Sequence, residues 1–255
     1  MKRRLGVALG LMISISSFAQ VKIHSHNDYV QKEPFLMAYA NKVDEIEVDI
    51  FLVGDSLVVA HSKKEIIPSN TLYKLYLHPI VDAFKKHNNK ISDDRKYTFS
   101  LMIDVKENWN SVYPSLKKEI EKYGDVFNRN AKKTAIQIVI SGSRPEHSTF
   151  STYPKWLFFD GLPNVNYAKK DLNRISMISD NFANYSKWRG VGEISETDKD
   201  KLKKVIASAH KLHKPIRFWG APDTETCWKL LKALGADIIN TDKIVESKTY
   251  FKNEL

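Results

Sequence analysis

Eight short apolar runs rich in β-forming residues recur along the chain, at 21–24, 46–52, 98–105, 135–141, 156–160, 175–179, 216–219 and 237–240. Helical spacing of apolar residues fills several of the intervals, at 34–41, 72–86, 111–122, 198–212 and 224–234. Strands that alternate with helices cover both faces of a sheet and pair in parallel. Eight such units in 255 residues predict a (β/α)8 barrel, with an open doubly wound sheet as the alternative the same alternation allows. Helical patterns after the fourth, fifth and sixth runs look short or irregular, so the barrel is expected to be distorted.

The first residues have a different character. Met1-Lys2-Arg3-Arg4 precedes an apolar stretch over 5–15, followed by small residues at Ser17 and Ala19. A basic start, a short apolar core and small residues before the cut form a secretory signal peptide, cleaved after Ala19. The stretch is too short for a lasting transmembrane helix, which needs about 20 apolar residues. The expectation is a signal peptide at 1–19 and one domain at 20–255, secreted or periplasmic, with no transmembrane anchor in the mature chain. The formal charge of +10 is carried by lysine doublets spread along the whole chain rather than along one stripe. That distribution describes a solvated surface better than a nucleic-acid groove, so no nucleic-acid partner is expected. Cys227 has no second cysteine to pair with, and its helical spacing to Leu230, Leu231 and Leu234 marks it as core.

In a barrel of this type the polar groups that matter lie at the C-terminal ends of the strands. In "EIEVDIFL", Glu47 and Asp49 are two apart and share one strand face, while Ile46, Val48 and Ile50 share the other. In "FSLMIDVK", Asp104 and Lys106 repeat the device. Burying carboxylates on an inner face is costly unless a cation compensates. Glu47, Asp49 and Asp104 make an all-oxygen set suited to one hard divalent cation, Mg2+ or Ca2+, and Lys106 can neutralise a phosphate as a point charge. The first run ends in "HSHN", which puts His24 and His26 on one face with Asn27 beside them. His61 closes "SLVVAH", the return of a small hairpin after Gly54-Asp55. Arg144 follows the fourth run and Trp219 ends the seventh, where they suit an anionic group and its apolar surroundings.

Taken in order, "HSHNDY", "IEVDIFL" and "LVVAH" resemble the phosphatidylinositol-specific phospholipase C-like phosphodiesterases, a superfamily that includes the glycerophosphodiester phosphodiesterases. The resemblance is closest to a little-characterised branch of secreted and fungal proteins, and it continues through "LMIDVK", "VISGSRP" and "GADIINTD". It implies a distorted barrel of the phospholipase C-like type and a metal-dependent phosphodiesterase acting on a small-molecule or lipid phosphodiester. By match to H-x-x-N, it implies His24 and His61 as the catalytic pair, with Glu47, Asp49 and Asp104 as metal ligands. His26, Asn27, Lys106, Arg144 and Trp219 then fall on the substrate side. Where the glycerophosphodiesterases have His-Arg-Gly this chain has His-Ser-His, so His26 can exchange roles with His24.

The chemistry is coherent in its own right. A phosphodiester anion repels nucleophiles and has a poor leaving group, and a cation with two imidazoles answers both problems. Two other classes compete. An amidohydrolase-like or phosphatase-like barrel would also place H-x-H after its first strand, but it needs imidazole ligands from later strands. Here those strands end in Asp160, Ser179 and Trp219. A non-catalytic lipid- or carbohydrate-binding barrel would use the aromatic residues as a rim, yet it has no need for an intact set of carboxylates and histidines.

Overall fold

The computed structural model describes residues 21–253. The expected signal peptide at 1–19 lies outside the described residues. Eight parallel strands close into a barrel: β1 (Lys22–Ser25), β2 (Glu45–Val53), β4 (Ser100–Val105), β5 (Gln137–Gly142), β6 (Leu157–Gly161), β7 (Ile175–Asn181), β8 (Ile216–Trp219) and β9 (Ile238–Thr241). β1 pairs with β9 on one side, and with β2 on the other through His24 opposite Glu45 and Ser25 opposite Ile46. That second ladder closes the ring and rules out an open sheet. β3 (Ser56–Val59) folds back antiparallel on the upper half of β2, through a turn at Gly54, whose φ is 60°. The expected hairpin is therefore present, and it carries His61 to the barrel mouth.

The helices are uneven. α1 (Leu36–Ala40) is a little over one turn, and α2 (His78–Lys86) continues a π-helical turn at Tyr73–Leu77. α3 (Trp109–Glu121) follows β4, a 3-10 helix at His147–Thr152 connects β5 to β6, and α4 (Lys169–Leu172) follows β6. These last two are the short connections expected after the fourth and fifth barrel strands. The connection after the sixth is longer than the short one expected, and it contains the helix read at 198–212. A 3-10 turn at Phe182–Asn184 leads into α5 (Glu196–Lys211), a 16-residue helix whose Ser195 side chain accepts from Asp198 N. α6 (Glu225–Leu234) and α7 (Ile244–Asn253) complete the ring. Among the described residues, no helix is long and apolar enough to cross a membrane.

Strand alternation divides the protein into two apolar regions. Outward residues such as Ile46, Val48, Ile50, Leu101 and Ile103 are fully buried under the helices and form the main core. Inside the ring, Met102, Val139, Met177 and Ile238, with Phe158 against them, form a separate plug. Two residues further along each strand, on the same inner face, stand Asp104, Ser141, Ser179, Asn240 and Asp160. The sequence thus stacks a polar layer directly on an apolar floor. Cys227 is buried in the main core, as expected.

Candidate active site

The polar layer opens into a cavity of about 370 Å³ at the C-terminal end of the barrel. Its walls include His26, Asn27, Glu47, His61, Asp104 and Lys106 on one side, and Ser141, Arg144, Asp160, Ser179 and Trp219 on the other. Residues as far apart in the sequence as His26 and Trp219 thus meet at one mouth. The cavity brings together most of the candidates read from the sequence, and it places two of them differently.

His24 does not reach it. The ring is fully buried, with Glu45 Oε2 3.0 Å from Nδ1 and Glu47 Oε2 2.6 Å from Nε2. Both ring nitrogens are occupied below the cavity. His26, read from the sequence as a substrate-side residue able to exchange roles with His24, lines the cavity. Its Nδ1 lies 2.9 Å from Asp242 Oδ1, and Asp242 N in turn donates to Asp223 Oδ2 at 3.0 Å. Burial lowers the His26 pKa, but the Asp242 hydrogen bond and the nearby Glu47 charge outweigh it and leave it raised. His24 lies within β1 and His26 in the turn that follows it, so one histidine stands in the floor and the other at the mouth.

Glu47, Asp49 and Asp104 offer carboxylate oxygens that all lie within 4.8 Å of one another, the group among the described residues that can hold a metal ion. Asp49 is fully buried and lies beneath the cavity wall. Its Oδ2 accepts from Tyr29 Oη at 2.8 Å and Lys106 Nζ at 2.9 Å, and faces His61 Nδ1 at 3.2 Å. Its Oδ1 has no hydrogen-bond partner. An orphaned buried carboxylate oxygen within a three-carboxylate cluster fits a hard cation, which would satisfy it. Gly142 keeps the place open: a Cβ there would stand 2.2 Å from Asp104 Oδ1, and its φ of +66° suits glycine.

The charges are strongly coupled. Burial would raise the Glu47 pKa, but Arg217 Nη1 at 2.6 Å and His24 hold it well below the usual carboxylate range. Asp104 behaves oppositely: burial, supported by the charges of Asp49 and Glu47 and opposed by Lys106, pushes it up to about 6. Lys106 spans Asp49 and Asp104 at 2.9 and 3.3 Å. On the far wall Arg144 donates to the Asp160 carbonyl, and the Asp160 carboxylate accepts from Ser179.

Sequence reasoning did not single out Arg217, Asp242 or the hydroxyl of Tyr29. Each had a local signal. Arg217 is a charge inside the apolar run "IRFW", Asp242 directly follows the last strand, and Tyr29 closes the "HSHNDY" motif.

Comparison with known proteins identifies the family and the fold. Residues 14–160 match the AIM6-like phosphodiesterase domain. The altered inheritance of mitochondria protein 6 homolog of Arthroderma benhamiae is 25% identical over 269 residues, covering 91% of this chain and 84% of the relative. The Saccharomyces cerevisiae altered inheritance of mitochondria protein 6 is 24% identical over 269 residues, covering 87% and 68% respectively. Among solved structures, a glycerophosphodiester phosphodiesterase from Parabacteroides distasonis superposes with a TM-score of 0.58 at 13% identity, covering 92% of this chain and 97% of that one. A second, from Agrobacterium tumefaciens, gives 0.51 at 14% identity, covering 91% and 99%. The structural likeness establishes the barrel type, and the family match goes further: the chain belongs to the AIM6-like phosphodiesterase domain family.

Proposed function

We propose that this protein is a metal-dependent phosphoric diester hydrolase in which His26 and His61 are the proton-transfer pair. One observation carries the reading. Two imidazoles, each with Nδ1 against a carboxylate, line a single cavity above a cluster of three carboxylates. In each case the carboxylate anchors the ring through Nδ1 and leaves Nε2 to do chemistry. His26 replaces His24 in this role because His24 is sealed below the cavity with both nitrogens engaged. His24 instead ties Glu47 to Glu45.

Glu47, Asp49 and Asp104 would hold the cation, Mg2+ or Ca2+. When bound, it would offset the phosphodiester's negative charge and acidify an attacking hydroxyl. The protein's own groups do the rest. Lys106 Nζ offers a positive charge to a phosphate oxygen, and Asn27 an amide at the same wall. His61 Nε2 takes a proton from the attacking hydroxyl. His26, whose raised pKa favours the imidazolium, gives one to the leaving oxygen. Arg144 and Trp219 border the space for the rest of the substrate, which the cavity limits to a small polar or head-group-sized moiety. The basic and apolar N-terminal segment supports export to the periplasm or the exterior, with Ala19 as the cleavage site.

The test is a panel of phosphodiesters assayed with Mg2+, Ca2+, Mn2+ or a chelator, with product analysis for cyclic phosphates. Metal-dependent turnover that disappears in His26→Ala and His61→Ala supports the reading. Binding without turnover under every metal condition would replace it with a non-catalytic barrel.

A further inference from the structure

After β1 the backbone turns through Asn27 in a left-handed conformation, φ 45° and ψ 45°, which asparagine tolerates better than most residues. The following 3-10 turn, Asp28–Val30, swings Tyr29 toward β2. Its hydroxyl meets three groups: Asp49 Oδ2 at 2.8 Å, Asn27 Oδ1 at 3.0 Å and His61 Nδ1 at 3.2 Å. A phenol has one proton to give and lone pairs with which to accept. The proton belongs to Asp49, the closest of the three and the charged acceptor.

Of the two contacts left, Asn27 then has to present its amide nitrogen as donor to the phenol oxygen, and the contact with His61 has only one consistent form. A hydroxyl whose proton is spent can meet His61 Nδ1 only as an acceptor, so Nδ1 must be the donor. Asp49 Oδ2, 3.2 Å from the same nitrogen, imposes the same requirement. The constraint matters because the His61 side chain is 60% exposed, on the loop after β3. Among the described residues, Tyr29 and Asp49 are the groups that hydrogen-bond its ring.

We infer that Tyr29 is a positioning residue that, with Asp49, fixes the His61 imidazole as the Nδ1–H tautomer and turns its Nε2 lone pair to the cavity. Its catalytic consequence rests on the phosphodiesterase reading, in which Nε2 takes the proton. The tautomer itself does not depend on that reading.

The experiment is long-range proton–nitrogen correlation NMR on protein labelled with ¹⁵N-histidine, metal-free, at about pH 9, where an ordinary imidazole is neutral. Wild-type His61 is expected chiefly as the Nδ1–H form. Tyr29→Phe should lower the Nδ1–H fraction, whereas Asn27→Gly, which keeps the left-handed backbone and both contacts to His61, should not. In the assay, Tyr29→Phe should lower kcat about tenfold with KM within about twofold, the pattern of a group acting in the transition state. Predominant Nε2–H in the wild type overturns the inference, even if the variant fails to fold. So does a folded Tyr29→Phe protein with unchanged tautomer and kcat. Wild-type protein without turnover overturns the phosphodiesterase reading, and the tautomer then decides the role of Tyr29 alone.

Discussion

The two histidines of "HSH" are separable by one pair of substitutions. His24 touches Glu45 at 3.0 Å and Glu47 at 2.6 Å, and all three residues are buried. His24→Ala would leave Glu47 with Arg217 but strip Glu45 of its hydrogen-bonded partner. Leaving a buried carboxylate without its partner costs about 3–5 kcal/mol. For a domain of this size each kcal/mol lowers Tm by about 2–4 °C, so His24→Ala should melt roughly 6–20 °C below the wild type. His26→Ala breaks one contact, to Asp242, whose side chain is 56% exposed. Pairs of that kind are worth about 0–1 kcal/mol, so Tm should move by no more than about 4 °C. Turnover should fall about 100-fold to 10,000-fold, the contribution of a general acid. Differential scanning fluorimetry and steady-state kinetics on the two variants give both numbers. A stable, inactive His24→Ala protein beside a fully active His26→Ala protein would refute the placement of the acid on His26.

Gly142→Ala should weaken Mg2+ or Ca2+ binding in isothermal titration by about tenfold or more. The new Cβ would come within 2.2 Å of Asp104 Oδ1 and 2.6 Å of Val105 O, and a left-handed alanine adds about 1–2 kcal/mol of strain. Unchanged affinity would mean that Asp104 does not hold the ion. Burial pushes the Cys227 thiol up to about 12 from an ordinary value of 9.0. The unfolded chain therefore releases that proton first, so this thiol's contribution to stability is complete below about pH 9 and is lost as the pH rises toward 12. Denaturant titrations of wild type and Cys227→Ala across that range should converge or cross as pH rises, and iodoacetamide at about pH 8 should label Cys227 only after unfolding. Expression in an exporting host followed by N-terminal sequencing should find Gln20 as the first residue. Retention of Met1 would dispose of the signal-peptide reading.

What could be read before the structure was largely periodicity. Central parallel strands are covered on both faces, so "EIEVDIF" and "SLMIDV" show near-continuous apolar runs, and a carboxylate within such a run is conspicuous because burial is costly for it. That is how Glu47, Asp49 and Asp104 could be found, and the same test applied to "IRFW" would have found Arg217. Alternation states which face a residue occupies, but not how deep it lies along the barrel axis. His24 lies within β1 and His26 just past its end, which is the whole difference between a sealed floor and an open mouth. Depth depends on where β1 stands against its neighbours. That register, His24 opposite Glu45 on β2 and Asn240 on β9, is set by residues 21 and 216 positions away. Asp242 was hidden for the same reason, since closing the ring is what brings the end of the last strand beside the end of the first. A strand-end motif therefore fixes the chemistry available to a barrel, while closure decides which of its residues meets the substrate.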